Sequence, residues 1–275
     1  MRDVRASAPV SAPPVARPPG RELAVGWALM VLIAALAWVL TVAQSRDMAM
    51  EPGTMGLALP LFLVLWVVMM AAMMLPSVAP VALTWVRAIG RTTSGTARAL
   101  RTGAFVGGYL LAWTAFGLLA YGLLAAAGDL VDADPGAARW IGAGVYLLAG
   151  AQQFGPLKTV CLRHCRSPLA QLARYARFHP WAKDLRVGAH HGLYCVGCCW
   201  GLMLVLVPLG VMNIAAMAGL AAVIFLEKLW RGGPWLSRAV GALFLVLAVL
   251  APFQDWPLPG LDMGDPSMGD MAGGR

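Results

Sequence analysis

The sequence predicts an all-α fold: a polytopic transmembrane helix bundle of about seven helices, with the N-terminus cytoplasmic and the C-terminus outside. Three observations lead there. The 275 residues are 60% hydrophobic and only 12% charged, whereas roughly a quarter of the residues of a soluble domain are charged. Apolar runs of about the 20 residues needed to cross a bilayer recur along the chain. Basic residues also sort by side: eighteen of the 21 Lys and Arg fall on segments that this layout places in the cytoplasm, as the positive-inside rule requires.

The elements follow in order. A Pro/Arg/Ala-rich stretch, "VRASAPVSAPPVARPPGRE", cannot bury a core, so residues 1–21 are expected to form a disordered cytoplasmic tail. The apolar run at 23–43 exceeds the roughly 7–15 residues of a signal-peptide h-region, so a retained first helix is expected near 22–43. A second helix, near 57–86, carries Pro76 and Pro80, which predict a kink or break at its inner end. Further helices are expected near 102–126, 137–153, 189–211, 213–230 and 236–252. Together, residues 22–253 read as the transmembrane domain and 254–275 as a Met/Asp/Gly-rich outer tail.

The charges support this layout. Arg2, Arg5, Arg17 and Arg21 lie in the first tail, and Arg87, Arg91, Arg98 and Arg101 between the second and third helices. Lys158, Arg163, Arg166, Arg174, Arg177, Lys183 and Arg186 follow the fourth helix, and Lys228, Arg231 and Arg238 join the last two. Only Arg46, Arg139 and Arg275 fall on the other side. Nine of the 13 acids fall outside, from Asp47 to Asp270, and such a field attracts cations. The net charge of +8 is thus a topology signal and calls for no nucleic acid. No phosphate loop, dinucleotide fingerprint or Ser-His-Asp arrangement is visible.

The chemistry concentrates in "HHGLYCVGCCWG", at 190–201. His191, Cys195, Cys198, Cys199 and Met203 recur at steps of three and four, which places them on one helical face. Thiolates and thioethers select Cu(I), zinc or iron–sulfur clusters. A second cluster, "CLRHC", holds Cys161, His164 and Cys165, again at helical spacing, with Arg163 and Arg166 expected to lower the thiol pKa values. The competing reading is that isolated cysteines are small packing residues. All five cysteines fall on or near the expected cytoplasmic side, which argues against structural disulfides. Met69, Met70, Met73 and Met74 form two i, i+4 pairs on the second helix and overlap the cysteines in expected depth. Packing is the ordinary use of such methionines. Met48, Met50 and Met55, and then Met263, Met268 and Met271, sit beside acids in outer segments with no core to fill. They are expected to capture metal. Glu227 and Lys228 read by default as an interfacial ion pair with a snorkelling lysine.

Four blocks in order, "MMAAMMLPSVAP", "GPLKTVCLRHCRSPL", "HHGLYCVGCCWGLMLVLVPLGVMN" and "FLEKL", resemble a bacterial family of predicted metal-binding integral membrane proteins, also labelled copper chaperone-like. The resemblance spans about residues 66–228. It implies a multi-pass protein of the bacterial inner membrane, with candidate ligands at Met69, Met70, Met73, Met74, Cys161, Cys165, His191, Cys195, Cys198 and Cys199.

The expected function is handling of Cu(I), as a transporter or membrane copper chaperone, more in the manner of a carrier than an enzyme. Zinc is the weaker metal candidate, since thioethers do not suit it. The expected partners are the bilayer, the metal ion and a soluble copper-carrying protein. The alternative is a membrane thiol–disulfide oxidoreductase using the Cys161/Cys165 and Cys195/Cys198 dithiols.

Overall fold

The computed structural model describes residues 20–47, 54, 56–90, 92–134, 136–167, 174–175, 178, 182–254, 258 and 261. Among them the fold is entirely helical: α1 (Gly20–Asp47), α2 (Leu59–Ile89), α3 (Gly95–Ala133), α4 (Ala137–Phe154), α5 (Pro156–Cys165), α6 (Lys183–Leu204), α7 (Leu206–Leu209), α8 (Ile214–Leu229) and α9 (Gly233–Leu250). Five segments are long and apolar enough to cross a membrane: Val25–Ser45, Leu59–Ile89, Gly95–Ala133, Lys183–Leu209 and Gly233–Leu250. The α4 and α8 helices, expected as the fourth and sixth spans, are not among them.

Burial follows from the spacing of small and apolar residues. On α1 a single stripe is covered, Met30, Ala34, Ala37 and Thr41, and it packs on α2. The rest of α1 shows Leu29, Leu32, Leu36 and Val39 outward, as expected of a helix facing hydrocarbon. By contrast α2 is buried over most of its length. It continues as a helix through both Pro76 and Pro80, so the expected break does not occur. The hydroxyls of Ser77 and Thr84 bond back to the carbonyls of Met74 and Pro80, a local use of carbonyls beside the prolines, which themselves donate no N–H.

No span was expected between 153 and 189, with helical spacing only at Cys161 and Cys165. After Gly155 the chain enters a second helix, α5, with Pro156 in its first turn. Proline suits that position because its missing N–H would have no partner there. The α4 and α5 helices pass down the same side of α6, Gln152 meeting Gly197, Cys161 abutting Gly197 and His164 stacking on Tyr194. They behave as one discontinuous helix with its break beside the middle of α6.

Candidate metal centre

Glycines bring the two central helices together. The α3 and α6 helices run parallel. A side-chain carbon at Gly188 would strike the Phe105 carbonyl, and one at Gly108 the Leu185 carbonyl. At Gly192 it would lie 2.7 Å from the Ala112 methyl. Small residues four apart permit this approach between membrane helices. The approach carries Tyr109 to the cysteine stripe, and its hydroxyl lies 3.0 Å from Cys195 Sγ.

The α8 helix supplies a cation to the same sulfur. Lys228 Nζ donates to Cys195 Sγ at 3.0 Å and to Ser77 Oγ at 3.0 Å. One ammonium therefore ties α8 to both α2 and α6. Its sequence neighbour points elsewhere: Glu227 Oε2 is 2.6 Å from Lys158 Nζ, which also donates to the Cys198 carbonyl at 2.8 Å. The Arg166 guanidinium donates to the Glu227 carbonyl. Glu227 and Lys158 are each 1% exposed and Lys228 is 7% exposed. The expected interfacial Glu227–Lys228 pair is therefore replaced by two separate buried interactions. Successive helical residues do not face each other, so each reaches its own partner.

All five cysteines are free and buried. Cys198 Sγ lies 3.2 Å from Cys199 Sγ and 3.9 Å from Cys165 Sγ. It also meets the Cys195 carbonyl at 3.2 Å. Cys161 packs on Gly197, where an added side-chain carbon would lie 2.7 Å from its sulfur. Instead of standing at the surface, α5 turns Lys158, Cys161, Leu162 and Cys165 inward. Of the flanking arginines, Arg166 donates to the Glu227 carbonyl.

The histidines gather one turn beyond the sulfurs. His191 lies beside the Tyr109 and Phe105 rings, and its Nδ1 has no hydrogen-bond partner among the described residues. His164 stacks on Tyr194 with ring centres 3.7 Å apart and meets the Tyr175 hydroxyl at 3.2 Å. His190 has its ring centre 5.4 Å from that of His164.

The methionines align with this stripe by register. The α2 and α6 helices are antiparallel. Trp85 Nε1 donates to Asp184 at 2.9 Å near one end, and Lys228 links Ser77 to Cys195 midway. Further along, Trp66 and Met203 line one small apolar cavity. Stepping one turn from Ser77 and from Cys195 in that direction puts Met73 and Met74 level with Cys198 and Cys199. A second step puts Met69 and Met70 level with Met203. Met69, Met70, Met73, Met74 and Met203 are all buried. Met48, Met50, Met55, Met263, Met268 and Met271 lie outside the described residues, as does most of each expected tail.

The donor set fits a soft ion of low coordination number. A metal–thiolate bond of about 2.3 Å places two sulfurs sharing a metal roughly 3.8–4.6 Å apart, depending on the angle between them. The Cys165–Cys198 separation falls in that range. Among the described residues, no three His, Cys, Asp or Glu side chains are arranged to hold one ion, as a closed zinc site would require.

A family described as PpoB2, copper chaperone, matches residues 63–251. The chain belongs to this copper chaperone family. The matched region runs from the second turn of α2 through the end of α9, and takes in every buried cysteine, histidine and lysine described above. No curated protein and no solved structure matches the chain.

Proposed function

We propose that this protein binds Cu(I) within the membrane and passes it along a buried seam of soft donors, as a membrane copper chaperone or transporter. One observation supports the reading: the thioethers of α2 and the thiols of α5 and α6 are buried together in one core. In the proposed path Cu(I) arrives at the Met-bearing outer segments and moves by ligand exchange past Met69, Met70 and Met203. It then reaches Met73, Met74 and Cys199, and next Cys198 and Cys165. His191, Cys195, Cys161 and His164 complete the inner end. Ligand exchange between neighbouring soft donors keeps the ion coordinated throughout and needs no redox step.

Topology completes the proposal. Seven spans, with α4–α5 counted as one and α8 as another, put the N-terminus in the cytoplasm and the C-terminus outside, in a bacterial inner membrane. The basic residues gather at one end of that arrangement. The family supports copper, whereas nothing supports the oxidoreductase alternative.

The test is elemental analysis of detergent-purified protein after anaerobic Cu(I) loading, beside a Cys195/Cys198/Cys199 triple serine variant. Near-stoichiometric copper in the wild type and a clear loss in the variant are expected. A copper-free wild type would overturn the reading, and equal copper in both would remove the α6 thiols from it.

A further inference from the structure

Two lysines are buried in the bundle, and among the described residues only one has a carboxylate. Lys158 and Glu227 cancel each other at 2.6 Å. The hydrogen-bond partners of Lys228 are the Ser77 hydroxyl and the Cys195 sulfur, and the Tyr109 hydroxyl contacts that same sulfur. Among the described residues no carboxylate reaches Lys228. The Arg166 guanidinium is partly exposed and bonded to the Glu227 carbonyl. The site thus places the amine of Lys228 beside Cys195, with no described carboxylate in reach. A buried charge without compensation is costly.

Building on the Cu(I) reading, we infer that Lys228 is a resident counter-charge that makes the cysteine seam selective for a monovalent soft cation. When Cys195 and a neighbouring thiolate hold one monovalent ion, they carry one net negative charge, which the adjacent ammonium cancels. Each thiol releases its proton as the ion binds, and no electron is transferred. The same two thiolates around a divalent ion are neutral together and leave the ammonium uncompensated in apolar surroundings. A third thiolate would restore the balance, but no three His, Cys, Asp or Glu side chains are arranged to hold one ion among the described residues. Lys228 does not ligate the metal; it acts through the charge it places 3.0 Å from Cys195.

The experiment uses full-length protein in detergent under anaerobic conditions, loaded with Ag(I), a redox-inert monovalent probe, with Zn(II), or with both. Bound metal per chain is read by elemental analysis and affinity by chelator competition. The wild type is expected to retain Ag(I) in preference to Zn(II). In Lys228→Met, Ag(I) affinity falls at least about tenfold and the preference narrows, as removal of a buried charge partner predicts. Lys228→Arg restores most of the preference. Ser77→Asp, which neutralises the ammonium without removing it, narrows the preference as Lys228→Met does, and decides the matter if Lys228→Met fails to fold. Wild-type affinity and preference in both neutralised variants would overturn the inference while leaving Cu(I) handling intact. A wild type that binds no Ag(I) would overturn both.

Discussion

Cys165 Sγ, on α5, lies 3.9 Å from Cys198 Sγ, on α6. The two sulfurs are 33 residues apart in sequence and belong to helices that meet at a glycine. This pair, rather than the consecutive Cys198 and Cys199, has the separation of two ligands to one soft ion.

Cys165→Ser should therefore lower Cu(I) affinity more than Cys161→Ser does. Cys161 faces Gly197, and among the described residues it has no hydrogen bond to another sulfur. Chelator competition on the two single variants reads the difference. A larger effect at Cys161 would move the ligand pair elsewhere in the seam.

Gly188→Ala should destabilise the bundle by about 1–3 kcal/mol, because its methyl meets the Phe105 carbonyl and the crowded interface must part. Gly103→Ala, at an exposed position of α3 where an added carbon meets nothing within 4 Å, should be neutral or stabilising by up to about 1 kcal/mol. Thermal unfolding in detergent separates them. Equal effects would mean that α3 and α6 are not held this closely.

Glu227→Gln strands the Lys158 ammonium and should cost about 3–5 kcal/mol, whereas Lys158→Met combined with Glu227→Leu should cost much less. A double-mutant cycle on unfolding free energies measures this. Additive losses would show that the pair at 2.6 Å does not act as a unit.

Met73→Leu and Met74→Leu keep side-chain volume and remove the thioethers. Stability should change by less than about 1.5 kcal/mol, while copper transfer through reconstituted vesicles falls. Unchanged transfer would leave these methionines as packing alone.

Much of this was legible before any fold was known. Apolar runs located α1, α2, α3, α6 and α9, because long hydrocarbon-facing helices carry an unmistakable composition. The steps from His191 to Met203 placed the stripe on one face of α6, and His191, Cys195, Cys198, Cys199 and Met203 are indeed buried. The α5 helix was harder to see. Its inward residues interleave with basic ones, so only the contact with α6 makes its buried face evident. Tyr109 gave no local signal either, since a lone tyrosine in an apolar run becomes a thiol partner only when Gly108 and Gly188 let two backbones meet. For Glu227 and Lys228 a signal was present and misread. Adjacent charges on a helix diverge by about 100°, so separate partners should have been sought from the start.

The short α5 helix has a consequence of its own. Its ten residues make about 15 Å of helix, well below the length at which an isolated helix holds together in water. It has no side-chain cap at its first turn. Its helical order is therefore borrowed, chiefly from Lys158 on Glu227 and from Cys161 on Gly197. Slackening either contact should let α5 fray before the long helices do, so its amides should exchange with solvent deuterium while those of α2 and α3 remain protected.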